Sequence, residues 1–326
     1  MGRIMYLFKK LFDILRLPFA FMHDYRHYAY TQSKANERLV WERKILLLAH
    51  ALEKGMSFRN KRKNWGEEKA LDLCKLINKY NDKYHYLDFP LGLAVNALNA
   101  YQHDNEASKS PVLLNHINNI INDWKSADEC IYPSGVTPIS QPAPFDQTEI
   151  NRFFESRRSV RFYNDQPITE EEIRYAIAVA SHTPTACNRQ TSHVYAFRDK
   201  TTIKQILDIQ LGDQGWCSGA DTLFVVTGNM SYFGGVYERH QVYIDGGLYA
   251  MNLVYGLHLQ RIGTCYKMFV REPSIMDKFR KTCGIPRNET PIVLIFAGHY
   301  DDKQNLGPMS HRFSSTFTLD GKTFKC

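Results

Sequence analysis

Two short segments carry the residue types that could do chemistry. Arg157-Arg158-Ser159-Val160-Arg161 packs three guanidiniums and a hydroxyl into five residues. Downstream, Pro184-Thr185-Ala186-Cys187-Asn188-Arg189-Gln190 combines a proline, small residues and two carboxamides. Arginine forks match phosphate oxygens bidentately. Small residues let backbone N–H groups come close to a ring, and the amides of Asn188 and Gln190 both donate and accept. Together the segments describe a site for a phosphorylated, planar, hydrogen-bonding ligand. Each alone also has a plainer reading: the arginines as a solvated helix start, Asn188 as a turn residue.

The elements that must position them are readable from periodicity. Between the two segments, Thr169 to Ser181 has the pattern of a helix, and His193 to Phe197 follows as a strand. Thr222 to Thr227 and Ile292 to Ala297 are continuous apolar runs, typical of central strands. Upstream, Leu39 to Leu52, Lys69 to Tyr80, Leu91 to Tyr101 and Val112 to Trp124 repeat apolar residues at three- and four-residue steps. Four prolines and a glycine then fall between Tyr132 and Pro144, which marks a linker or a wrapped irregular segment. The expected organisation is a helical extension over residues 1–130, a Pro-rich linker over 131–147 and a mixed helix-and-strand domain over 148–326.

In this order the motifs resemble the nitroreductase-like flavoproteins. That family opens on an Arg-Arg-Ser-x-Arg segment, then a helix, then a Pro-Ser-x-x-Asn-x-Gln-Pro loop into a strand. Here Thr185 stands for the usual Ser, and Thr191 where the family often has Pro. A long helix through Ala250 to Leu257 leads to Gly263-Thr264-Cys265, and a last strand ends near Gly298 before Ser310-His311-Arg312. Ser310 stands where some relatives carry Lys. The resemblance covers about residues 148–315. It implies an α+β fold with a mixed or antiparallel sheet and helices on both faces. It also implies an FMN-dependent oxidoreductase that takes hydride from NADH or NADPH and passes electrons to a nitro, quinone or other small acceptor. The implied dimer holds each flavin between subunits. By resemblance Arg157, Arg158, Ser159 and Arg161 bind the phosphate and the pyrimidine edge, and Arg312 returns to the phosphate. Pro184, Thr185, Ala186 and Asn188 line the ring, mainly from the partner subunit, and Gly263 and Thr264 sit near flavin N5. No acid–base residue is implied. Members linked to surface-polysaccharide gene clusters carry a similar His-x-x-Glu-Lys-Gly extension, present here as His50 to Gly55. Two alternatives stay open: a flavin-dependent step in surface-polysaccharide biosynthesis, and a flavin-binding sensor or recruitment protein.

Competing chemistries lack their motifs. No Gly-x-Gly-x-x-Gly is present for a dinucleotide fold, and no Gly-x-Ser-x-Gly for a hydrolase. Gly321-Lys322-Thr323 has Thr316 where a P-loop needs glycine. At 326 residues the chain can bury a sizeable core, and a formal charge of +7 fits anionic cofactors without requiring nucleic acid. Seven cysteines, with no Cys-x-x-Cys pair, argue for free thiols in a reducing cytosol. Cys187 and Cys265 fall inside motifs, as redox thiols or as small packing residues. His50 and Glu53 share a helix face, but further metal ligands are not identified, and Gly55 reads as that helix's left-handed cap. The basic turn with Lys54, Arg59 and Arg62 is a candidate entrance for an anionic substrate, under an extension packed over the catalytic body. Residues 1–21 are apolar and basic, too interrupted to span a bilayer. They read as a helix on the protein's own body or as a peripheral membrane contact on anionic lipid.

Overall fold

A computed structural model describes residues 2–84, 89–104, 109–124, 132–210, 219–269, 273–301, 303, 306–310, 312 and 314–325. Five helices come first: α1 (Gly2–Thr31), α2 (Glu37–Met56), α3 (Glu67–Tyr84), α4 (Phe89–His103) and α5 (Pro111–Trp124). Helices α2 to α5 enclose a core of their own, with Leu46, Leu52, Leu73, Ile77, Leu98 and Ile117 buried in it. The four helix patterns of the sequence therefore lie within α2 to α5.

The second half alternates helix and strand: α6 (Gln147–Ser156), α7 (Glu170–Ser181), β1 (Ser192–Phe197), α8 (Lys200–Ile209), β2 (Thr222–Asn229), α9 (Gln241–Leu259), β3 (Ile262–Met268), α10 (Pro273–Cys283) and β4 (Glu289–His299). The strands form one sheet in the order β1-β2-β4-β3, antiparallel throughout. Side chains alternate across a strand, so each sheet face needs a cover. Leu223 and Val225 point to a layer that holds Ile206 of α8 and Phe279 of α10. Phe224 and Val226 point to the opposite layer, with Ala176 of α7 and Leu253, Val254 and Leu257 of α9. Each such buried side chain contributes about 1.5–3 kcal/mol. This is the expected α+β fold with helices on both faces. A hairpin of β5 (Thr316–Leu319) and β6 (Lys322–Lys325) follows, with Asp320 and Gly321 left-handed at its turn. The Gly-Lys-Thr string thus serves a hairpin.

The helical region is fastened to the sheet domain. Arg43 Nη1 donates to Phe233 O at 2.7 Å, and Tyr232 Oη donates to Glu42 Oε2 at 2.6 Å. The Pro-rich stretch runs along the helices: Asn96 Nδ2 donates to Tyr132 O at 2.6 Å, and Ser134 Oγ donates to Glu53 Oε1 at 2.6 Å. Glu53, three residues from His50, is thereby engaged in holding the linker. Gly55 is not a left-handed cap, because α2 continues to Met56. Its bare face admits Trp65; a Cβ there would lie 2.1 Å from the indole. Within the first 21 residues, the described side chains of Phe8, Phe12, Leu15 and Phe19 do not pack on the protein's own body and are all exposed.

Candidate functional site

The arginine segment is laid against an open sheet edge. Strand β3 is one of the sheet's two outermost strands, and an unpaired edge invites a further chain. Arg157 leaves α6 in an extended conformation. Ser159 then bridges Thr264 in parallel, and Val160 N–H donates to Thr264 O at 2.9 Å. Gly263 makes this approach feasible: a Cβ there would lie 2.8 Å from Val160 Cγ1. Further on, Tyr163 bridges Tyr300, and Asn164 N–H donates to His299 O at 3.0 Å. Gly298 receives the Tyr163 ring, which a Cβ would meet at 2.7 Å. Two glycines on neighbouring strands thus dock one segment.

Docking leaves Arg158, Ser159 and Arg161 lining a cavity of about 570 Å³. Ser156, Val160, Phe162, Tyr300 and residues 306–309 also line it, with no carboxylate among the described residues of its wall. The volume lies in the range of small-molecule and cofactor sites. Burial pushes the Tyr300 phenol up, with the charge of Arg157 opposing. His258 is lowered, first by burial; its bond to Phe153 O works the other way, and Arg157 lowers it further. The field of Arg157 therefore reaches this end of the sheet.

The second segment turns through Ala186–Asn188, with Cys187, Asn188 and Gln190 at φ values of 54°, 52° and 51°. Left-handed backbone is tolerated by Asn but strained for most others, at about 1–3 kcal/mol each. Surrounding bonds hold the turn. Asp245 Oδ2 accepts from Ala186 N–H at 3.1 Å, and Thr185 Oγ1 accepts from Gln190 N–H at 3.0 Å. Arg189 is buried, bonded to Glu238 Oε1 at 2.6 Å and set 5.1 Å from the Phe233 ring centre. Burial alone would raise the Glu238 carboxyl, but Arg189 and Gly234 N–H hold it below its ordinary value. Pro184 and Asn188 remain exposed, while Thr185 and Ala186 are half-buried.

Within one subunit the two segments stand apart. Thr264 pairs with Ala297, whereas Ser192, just after the loop, pairs with Gly228, which pairs with Thr290. Ala297 and Thr290 are separated by about 23 Å along β4 at strand rise. Helix α9 spans the same gap. Its Asp245 holds the Asn188 loop, and its His258 Nε2 lies 2.8 Å from Ser156 Oγ at the arginine end.

The remaining expectations divide. Gly263 and Thr264 are buried beneath the arginine segment and hold it. Arg312 is exposed, donates to Ser310 O at 3.0 Å and does not line the cavity. Lys54 and Arg62 line a different cavity of about 990 Å³ in the helical region, without Arg59, and it shares no residue with the arginine cavity. Just before α9, Phe233 is buried, while Tyr237 is 99% exposed. Cys187 is exposed and Cys265 buried. Val160, Tyr300 and residues 306–309 were not singled out in the sequence. Gly298 was noted only as the glycine after the last strand.

A family model described as the nitroreductase family matches residues 154–214, the stretch holding both segments. The chain carries a nitroreductase-like domain. A protein of Archaeoglobus fulgidus, described as an NADH dehydrogenase/NAD(P)H nitroreductase, is 23% identical over 159 residues, 49% of this chain and 90% of its own length. Solved structures are also similar to part of the chain. A nitroreductase-like protein of Streptococcus mutans matches at 17% identity and TM-score 0.45, over 52% of this chain and 96% of that one. A nitroreductase of Desulfovibrio desulfuricans in complex with FMN matches at 16% identity and TM-score 0.40, over 49% and 92%.

Proposed function

We propose that the protein is an FMN-dependent NAD(P)H oxidoreductase that works as a homodimer, with each flavin held between subunits. The observation that carries this reading is the arginine segment on the edge of β3, beside a cavity of about 570 Å³ with no carboxylate among the described residues of its wall. Arg157, Arg158, Ser159 and Arg161 offer charge-assisted donors for one phosphate, and Arg312 would join them from the segment beyond the cavity. That donor set suits FMN, and the chain lacks a dinucleotide motif that FAD or a Rossmann site would use. When bound, FMN would accept hydride from NADH or NADPH and deliver electrons, in ping-pong order, to a nitro, quinone or other small acceptor.

Helix α9 supports the dimer reading. Ile244, Leu248 and Leu259 are exposed, and Met251 and Tyr255 half-buried. Their spacing of four, three, four and four residues makes one apolar stripe, outward at Ile244, Leu248 and Leu259 and covered at Tyr255 by Phe153 and Phe154 of α6. An isologous, antiparallel pairing of two such stripes sets the Asp245 end of one helix beside the His258 end of the other. The Asn188 loop of one subunit would then face the arginine segment of its partner, closing the gap that separates them within a chain. Pro184, Thr185, Ala186 and Asn188 would line the ring across the interface. Gly263 and Thr264 would act by fixing the arginine segment at the cofactor's edge. A cytoplasmic location fits the free, buried thiols of Cys74, Cys265 and Cys283.

Purified protein is expected to be yellow, to release FMN on denaturation and to oxidise NADH or NADPH with a quinone or nitroaromatic acceptor. Release of FAD, or no flavin binding after reconstitution, would sink the cofactor assignment. Bound FMN without turnover would move the protein to the sensor class.

A further inference from the structure

We propose that the free length of α1 is a membrane-binding arm that lies in the surface of an anionic bilayer. The helix divides into a root and a free part. The root is fixed to the sheet domain: His27 Nε2 lies 2.6 Å from Arg287 O, Tyr28 Oη donates to Gly235 O at 2.8 Å, and the Arg287 guanidinium sits 4.2 Å from the Tyr30 ring centre. Beyond it the described apolar side chains stand in solvent, with Phe8 at 69%, Phe19 at 76% and Phe21 at 68% exposure. Leu11, Phe12, Ile14, Leu15, Leu17 and Met22 are exposed as well. A contiguous apolar surface of this extent marks an interaction site.

The helical period sorts these residues. At 100° per residue, Phe8, Leu11, Phe12, Ile14, Leu15, Phe19 and Met22 fall within an arc of about 160°, Phe21 lies about 20° beyond its edge, and Leu17 falls on the other side. Lys9, Lys10, Asp13 and Arg16 take positions on the opposite arc, three basic residues against one acidic. Two observations choose a lipid surface over a second copy of the helix. The apolar arc is wider than the narrow seam that a paired helix buries. The polar arc has no acidic stripe to answer its own cations, whereas anionic headgroups complement them. The arm lies on the bilayer and does not cross it, because no helix among the described residues is long and apolar enough to span one. Pro18 inside the helix removes one backbone donor, a loss tolerable in the wet interface. From Phe8 to Met22 the arm reaches about 21 Å.

The test is sedimentation of the full chain with vesicles of phosphatidylcholine alone, or with added phosphatidylglycerol. Binding is expected with the anionic vesicles. It should fall about fivefold for each of Lys9→Gln and Lys10→Gln. Leu15→Asp and Phe19→Asp should weaken it about tenfold or more, with melting temperature unchanged because both sites are solvent-exposed. Absence of binding to anionic vesicles would overturn the proposal, as would equal binding to uncharged ones. So would a lipid-free assembly, measured by light scattering, that dissociates in the Leu15→Asp variant.

Discussion

Alanine at Gly263 should lift the arginine segment from the sheet. The added Cβ would lie 2.8, 2.9 and 3.0 Å from Cγ1, Cβ and Cγ2 of Val160. Those distances are too short to keep, and Val160 is stiff at χ1, so rotamer change gives little relief. The backbone must move, which strains the bond from Val160 N–H to Thr264 O. Overpacking of this kind costs about 1–3 kcal/mol. The same shift displaces Arg158, Ser159 and Arg161, so flavin affinity should fall along with stability. The assay is a double-mutant cycle with Val160→Gly, which removes all three clashing atoms. Gly263→Ala and Val160→Gly should each destabilise, and the pair should cost at least about 1 kcal/mol less than the sum. Strict additivity, or normal flavin affinity in Gly263→Ala, would refute the claim that this contact sets the segment.

Three further outcomes are expected. Arg157→Ala and Arg161→Ala should each weaken FMN binding by about 1.5–3 kcal/mol in calorimetric titration, and unchanged affinity in both would end the phosphate role. His27 is lowered from its ordinary 6.5 to about 4, first by burial and then by Arg280. Stability is full above pH 6.5, declines as the unfolded chain alone takes up a proton, and levels below pH 4; the loss is about 3 kcal/mol at 1.36 kcal/mol per pH unit. Urea melts of the wild type against His27→Gln should differ in that window, and identical pH profiles would remove the linkage. Glu238→Gln leaves Arg189 buried beside a neutral amide and should cost about 1–3 kcal/mol, less than for a fully buried pair because Glu238 is half-buried, read as a lowered urea midpoint; a midpoint within error of wild type would show that the pair does not hold the loop.

What the sequence made legible was what lies on one element. The helix over Thr169 to Ser181 is visible because its apolar period and its Thr169–Glu172 capping box are local. The runs Thr222 to Thr227 and Ile292 to Ala297 read as central strands because they are covered on both faces. What it hid depends on approach between distant segments. Gly263 reads as a loop glycine, and only the fold reveals Val160 against it. Asp245 reads as an ordinary helical acid, yet it is buried and holds Ala186 N–H from 59 positions away. Gly55 follows Lys54 as a cap would, but the Trp65 ring needed its space more. Arg158 and Asn188 were both named, and their separation along the sheet was not, because strand register has no signature in one sequence.

The shared site is tested most directly by mixing two crippled chains. One carries Arg158→Ala and Arg161→Ala, the other Asn188→Asp, and each alone should retain little FMN. If one flavin lies between the arginine segment of one subunit and the Asn188 loop of its partner, a heterodimer regains one intact site. Random subunit exchange at equal amounts should therefore restore FMN to about a quarter of all sites. A mixture that exchanges subunits and regains no FMN would contradict the account.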